Sequence, residues 1–445
     1  MNLSVRTLRL SQVGFVGGAI ASSLLVTTAP SLANSNQTAL EDSPKAVLDE
    51  AWQIIHHEYV DGSFNHVDWM AVRQTLLGQN YTSREQAYSA LRATLRRLND
   101  PYTRFLDPRE YTELTEQTSG EASGVGLRLR RTPDTGELLV TEVVANSPAQ
   151  QAGVQPGDRV LLVDGQSTER LTAEGVTSRL RGEEGSQVTV TLSRNGGEPK
   201  TVVLTRTVLE LPTVEYTVKQ QGDSRIGYIR LIEFNAHAAE QMEQAIAKLT
   251  QEGVGGFVLD LRGNPGGLLQ SSIEISRMWL QRGDIVQTVD RDGHSESIRA
   301  NRTALTQLPL TVLVDGRSAS SSEILTGALR DNGRATVVGS PTFGKALVQS
   351  LHGLSDGSGL TVTVAHYYTP DGTDISRKGI TPDIQVPISD QERQALFNNP
   401  VLLGTDADPQ YLRAATLLEQ TILSQQANPA PGNAANPSQL GRVTP

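Results

Sequence analysis

There is no cysteine in this chain of 445 residues. That absence excludes disulfides, iron–sulfur clusters, thiolate zinc sites and cysteine nucleophiles together, so any covalent catalysis must use oxygen or nitrogen. Positive charge is also short: 39 Lys and Arg against 49 Asp and Glu leave a net charge of −10. Phosphate binding needs a basic surface, so nucleic acid is not expected as a partner. No Gly-x-Gly-x-x-Gly and no lysine at Walker spacing occurs, which argues against a nucleotide site. Among seven histidines there is no His-x-x-x-His or His-Glu-x-x-His, and no metal or organic cofactor is implied. The remaining composition, 37% hydrophobic and 20% charged, is that of a soluble globular protein. At roughly 100–200 residues per domain the length allows several domains.

What is present begins with an export address. Arg6 and Arg9 precede an uncharged, mostly apolar run over 13–27, followed by Ser31-Leu32-Ala33. A basic start, a short apolar centre and small residues before a cut make a signal peptide over residues 1–33. The competing reading is a retained anchor, since extending the run to Ala33 gives 21 residues, but Pro30 and interspersed Ser and Thr make a poor span.

Apolar residues then recur at helical intervals over 43–59, 67–77 and 83–98, which predicts an N-terminal helical region over 34–115. Asn99-Asp100-Pro101 stops the third helix. Alternating stretches at 127–130, 138–144, 159–163 and 188–192 predict strands, with short helices at 147–152 and 173–181, in a module over 116–211. From 212 to 390 strands alternate with helices, which argues an α/β layer of mostly parallel strands. Residues 391–425 read as a C-terminal helical segment, and 426–445, rich in proline, as a disordered tail.

The informative window runs from Asp315 to Gln349. A strand ends in Asp315-Gly-Arg-Ser-Ala, and Ser320-Ser-Ser-Glu323 opens a helix, which places a serine hydroxyl among free helix N–H groups. Ser320 with Glu323 is equally a capping box, and the window alone leaves both readings open. A second glycine turn, Asp260-Leu-Arg-Gly-Asn-Pro-Gly266-Gly267, also lies between strand and helix and would present unpaired N–H groups to an oxyanion. For a base, His56 and His57 face different sides of one helix, and His66 and His294 lie in polar loops. His352 and His366 remain alternatives. Lys345 is the better base, because burial between Phe343 and Leu347-Val348 would favour its neutral form. Gln349 shares its face at strand period, and equally at i, i+4 on a helix, and either way would orient its amine. A surface lysine after a glycine turn is the plain alternative.

These residues resemble the carboxyl-terminal processing peptidases, serine proteases with a Ser–Lys dyad. Ser318-Ala-Ser320-Ser-Ser-Glu-Ile, Asp331, Phe343-Gly-Lys345 and Gln349 stand in the family order, with Lys345 25 positions and Asp331 11 positions after Ser320. The resemblance implies Ser320 as nucleophile, Lys345 as base, Gln349 beside it, and the N–H groups of Gly266 and Ser321 as the oxyanion pair. The family's usual alanine after the nucleophile is Ser321 here. Asp331 matches a structural position. Leu98-Asn-Asp-Pro-Tyr-Thr-Arg-Phe-Leu106 resembles the segment before the family's PDZ module, Gly124-Val125-Gly126-Leu127 a PDZ carboxylate-binding loop, and Lys378-Gly-Ile-Thr-Pro-Asp383 the closing strand. Arg181 resembles a position at which some members link module and catalytic domain, a gating contact. The implied fold is a ClpP/crotonase-like α/β core with an inserted PDZ domain and helical cover at both ends. The Leu48-Asp-Glu-Ala-Trp-Gln segment looks cyanobacterial or plastid in type, which implies a periplasm or thylakoid lumen. The implied partners are proteins with loose C-termini, including the precursor tail of a photosystem II reaction-centre subunit, with membrane association only through substrate. A non-catalytic PDZ scaffold or chaperone is the rival from another class, and a small-ester hydrolase a third reading.

Overall fold

The computed structural model describes residues 44–132 and 135–427. The signal-peptide reading and the tail from residue 428 lie outside them, and the terminal helix continues to Ala427, through the first two residues assigned to the tail. Two compact units are formed, residues 112–212 and the remainder of the chain.

In the larger unit, helices Pro44–Glu58, Trp69–Gly78 and Arg84–Leu95 bury Leu48, Trp52, Ile55, Trp69 and Leu91 against Phe105, Leu360 and Val362. Asn99, in the left-handed conformation at φ 54°, ends the third helical segment. The partner residues Leu360 and Val362 lie on Gly359–Tyr368, the hub of an antiparallel sheet that pairs with Arg104–Leu106, Leu347–Gly353 and Asp284–Asp290.

A second sheet of six strands runs in the order Val214–Gln221, Ser224–Leu231, Gly256–Asp260, Leu310–Val314, Thr336–Gly339, Ile384–Gln385. Only the first pair is antiparallel. The strands Gly256–Asp260 and Leu310–Val314 are buried at every position, as parallel strands covered on both faces must be. Phe257, Leu259, Val312 and Val314 face helices Ala238–Gln251, Leu269–Trp279 and Ser321–Asp331, while Val258, Leu313 and Val338 face Pro409–Ala427 through Tyr411, Ala414 and Leu418. The C-terminal ends of the central strands carry the two glycine turns.

The smaller unit has its own core of Val125, Leu138, Val140, Val160, Val176, Leu180, Val190 and Leu204. Its main sheet places Leu127–Arg131 at one edge, beside Leu138–Val143. A two-stranded ribbon of Glu121–Gly124 with Thr207–Glu210 brings the ends of the unit together, and the Leu211 N–H donates to Gly120 O at 2.8 Å.

Three elements depart from expectation. Helix Pro108–Ser119 matches none of the three helices read within 34–115 and runs four residues past that boundary; none of its residues is fully buried. Residues 378–383 form a loop instead of a strand, and the closing strand is the two-residue Ile384–Gln385 just after it. Lys345 stands before the strand Leu347–Gly353, and the ladder slips between Val348 and Gln349, so the shared strand face expected of Lys345 and Gln349 is not formed.

Candidate active site

Ser320 sits at the start of Ser321–Asp331 with φ 55° and ψ −116°, a conformation that a serine holds only where its surroundings enforce it. Enforcement comes from both flanks. Ser318 Oγ donates to Leu261 O at 2.8 Å and the Ala319 N–H to Asn264 O at 3.1 Å, stitching the serine turn to the second glycine turn. The wholly buried Asn264 extends the stitch, its Nδ2 donating to Leu231 O at 2.9 Å and its carbonyl accepting the Ser322 hydroxyl at 3.0 Å. A Cβ added to Gly266, at φ 100°, would lie 2.8 Å from Ser320 Cβ and 3.0 Å from Ser321 N. The two turns are therefore in backbone contact, as an oxyanion pair requires. Ser321 N–H, at the first helical position, has no partner among the described residues, whereas Gly266 N–H donates to Asn264 Oδ1 at 2.9 Å. The Ser321 side chain adds a bond that alanine could not make, donating to Gly267 O at 2.9 Å.

The link to Lys345 runs through a carboxylate read from sequence only as a cap. Glu323, fully buried, accepts the Ser320 N–H at 2.9 Å and the Lys345 N–H at 2.9 Å on Oε2. Its Oε1 accepts the Thr342 hydroxyl at 2.5 Å and the Gly344 N–H at 2.7 Å. Burial nevertheless pushes the Glu323 carboxyl above its ordinary range, against these four donors. Serine and lysine backbones 25 positions apart are thus joined through one side chain. Tyr367, for which the sequence carried no signal, shares its one hydroxyl proton between Ser320 O at 3.2 Å and Lys345 O. The loop over 377–380 closes the other side: Arg377 N–H reaches Gly344 O at 2.8 Å, and Ile380 N–H reaches Thr342 Oγ1 at 2.6 Å.

The Lys345 amine makes no ion pair and no hydrogen bond among the described residues; it stands 4.5 Å from the centroid of the Tyr102 ring. Burial, with Arg104 adding to it, holds the amine below the ordinary lysine range, while Asp100 and Glu323 oppose the shift. Asp100 is itself engaged by Thr103 and Thr363 hydroxyls, each at 2.7 Å. Gln349 is not bonded to Lys345, and its buried Nε2 has no partner among the described residues. The alternative bases are elsewhere occupied or exposed: His352 Nε2 meets Glu58 at 2.8 Å and Ser350 at 2.9 Å, and His366 faces solvent. Asp331 ends the serine helix, paired with Arg330 and accepting the Asp371 N–H. An exposed group, Asp290, Asp292 and His294, is the one place among the described residues where three side chains of metal-ligating type converge; there Asp290 accepts the N–H groups of Asp292 and His294 across a hairpin turn.

Beneath the glycine turn, Arg262 is saturated by two carboxylates. It meets Asp260 at 2.6 Å and Asp408, the residue before the terminal helix, also at 2.6 Å. Asp408 in turn accepts the Tyr411 N–H at 3.1 Å and the Gly404 N–H at 3.2 Å. Sequence reading had assigned residues 391–425 only a covering role.

In the smaller unit, Val125 O accepts the Ala149 N–H at 3.0 Å and Gly126 O the Val144 N–H at 2.9 Å. With trans peptides, the N–H groups of Gly126 and Leu127 each point away from the carbonyl of their own peptide. Gly126 is at φ 81°, and a Cβ there would fall 2.2 Å from Ser147 Cβ. Gly124 lies on the ribbon, and its own Cβ position is 3.7 Å from Leu180 O. Helix Ala173–Leu180 turns Val176 and Leu180 inward, and Arg181 beyond it pairs with Glu116 at 3.5 Å.

Residues 225–386 match peptidase family S41 and residues 139–194 match a PDZ domain. The chain is 41% identical over 405 residues to the carboxyl-terminal-processing protease of Synechocystis sp., covering 90% of this chain and 92% of that protein. It is 38% identical over 352 residues to carboxyl-terminal-processing peptidase 3, chloroplastic, of Arabidopsis thaliana, covering 76% and 68%. A solved structure described as photosystem II D1 C-terminal processing protease matches with 36% identity and TM-score 0.52, over 83% of this chain and 99% of that one. The chain therefore belongs to peptidase family S41. Within that family it is a serine-type C-terminal-processing protease carrying a PDZ domain.

Proposed function

We propose that the chain cleaves proteins near their C-termini by a Ser–Lys mechanism. Ser320 attacks the scissile carbonyl and neutral Lys345 accepts its proton. Ser321 N–H and the Gly266 turn receive the oxyanion, and water, activated by the same lysine, releases the acyl group. The observation that carries this reading is the shared Glu323 carboxylate, which sets the backbones of Ser320 and Lys345 side by side while the half-buried lysine amine makes no ion pair among the described residues. Gln349 orients the amine by accepting one of its N–H groups on Oε1 once substrate enters, which leaves the lone pair free for the serine proton.

The loop over 124–127 captures the terminal carboxylate, and the edge strand Leu127–Arg131 extends the peptide as an added strand. Arg181, now engaged by Glu116, is the residue whose contacts a gating step would exchange. Following the solved D1 processing protease, the substrate we assign is a photosystem II precursor tail, met in a thylakoid lumen or periplasm after export. No helix among the described residues is long and apolar enough to cross a membrane.

A serine-reactive acylating probe tests the dyad. One adduct is expected on the intact protein, none on Ser320→Ala, and Lys345→Arg should be as inactive as Ser320→Ala because guanidinium cannot act as base. Turnover of a peptide ending in the precursor tail should rise toward alkaline pH with a midpoint below that of an ordinary lysine, as the neutral amine accumulates. Retention of more than about a tenth of turnover by Lys345→Arg removes the lysine from the mechanism.

A further inference from the structure

We propose that Tyr367 is a positioning residue for the dyad, its buried hydroxyl tying the carbonyl of the nucleophile to the carbonyl of the base. The inference rests on the Ser–Lys reading above and adds to it a group that touches neither substrate nor reacting atoms. Tyr367 is 1% exposed and its ring belongs to the main core. A buried phenol must find an acceptor, but any carbonyl of the core would serve. This one reaches the carbonyls of Ser320 and Lys345, the two residues assigned the chemistry. Its backbone continues the tie, with the Tyr367 N–H donating to Ala346 O at 3.0 Å, immediately after the lysine. Burial pushes the phenol far above its ordinary titration range, so the group stays a donor at every working pH.

The two ends of the tie are not equivalent. Ser320 O also accepts the N–H groups of Glu323 at 2.7 Å and Ile324 at 3.0 Å, whereas Lys345 O has no other donor among the described residues. Loss of the hydroxyl therefore falls on the lysine. The groups that act on its amine are Arg104 and Asp100 from the segment before and within the first strand, Glu323 from the serine helix, and the Tyr102 ring. With the main chain of Lys345 released, the amine regains water, and its depressed proton affinity returns toward the ordinary value.

Tyr367→Phe removes one oxygen and keeps the ring. Kinetics on a tail peptide, normalised to sites titrated by the acylating probe, should show kcat lower by about ten- to a hundredfold with KM within about twofold. The acid limb of kcat/KM should move to higher pH. Wild-type kcat, an unmoved limb, or a loss that vanishes on normalising to titrated sites each overturns the proposal. If Ser320→Ala and Lys345→Arg are inactive while Tyr367→Phe behaves as wild type, only the tie is wrong. If Ser320→Ala retains activity, the dyad reading falls and the tie with it.

Discussion

Gly344 separates the two roles that meet in the lysine loop. Its N–H serves Glu323 and its φ is 89°, but its Cα also presses on the loop over 377–380: a Cβ would lie 2.8 Å from the N atoms of both Lys378 and Gly379. Those contacts are main chain and cannot swing aside. Gly344→Ala should therefore displace Lys345 and lower turnover at least tenfold, with a modest loss of stability of about 1–2 kcal/mol from the strained φ. Steady-state kinetics beside urea unfolding separate the two effects. Wild-type turnover would show that the loop has slack the contacts do not suggest. At this scale the sequence was readable wherever chemistry dictates residue type. A serine opening a helix, a lysine among apolar neighbours and glycines in tight turns announce themselves. Tyr367 and the second function of Glu323 did not, because a buried phenol or a capping glutamate has the same local pattern whichever partner it finds across the fold.

Among the elements, the terminal helix Pro409–Ala427 illustrates how cover and site are coupled. Asp408 caps its first turn and at the same time completes the charge environment of Arg262, four residues before Gly266. Asp408→Ala leaves a buried guanidinium half-paired and a helix start uncapped, so a loss of about 3–5 kcal/mol in unfolding free energy is expected, measured by denaturant titration. Asp408→Asn retains acceptors for the cap and should recover part of that. A loss below about 1 kcal/mol for alanine would mean that Asp260 and Gln410 suffice to hold Arg262. Helix periodicity made this element legible, since Tyr411, Ala414, Leu418 and Ile422 form a stripe. The partner of its cap was not, because 146 residues separate Asp408 from Arg262. Strand boundaries were less legible for a related reason: at the slip before Gln349 the unmatched residue is Val364, on the partner strand.

At the scale of the molecule, the module over 112–212 enters and leaves through one short ribbon. Its ends are hydrogen-bonded to each other, and its core is composed of its own residues. Residues 112–212 produced alone should fold cooperatively, with dispersed amide resonances and a sigmoidal melt. A broad, non-cooperative melt would show that the module borrows stability from the rest of the chain. The change from helical to alternating to strand–helix texture made three regions visible from sequence, because each has a different hydrophobic period. Helix Pro108–Ser119, whose large apolar residues are only Tyr111 and Leu114, left a shorter mark at the transition.

The position of Tyr102 has one more consequence. An aromatic ring shields protons held over its face, and the Lys345 amine stands 4.5 Å from the ring centroid. The ε-methylene protons of this lysine should therefore resonate upfield of those of solvent-exposed lysines. Following that signal as pH is raised reads the charge of the base directly, in enzyme that has never met a substrate.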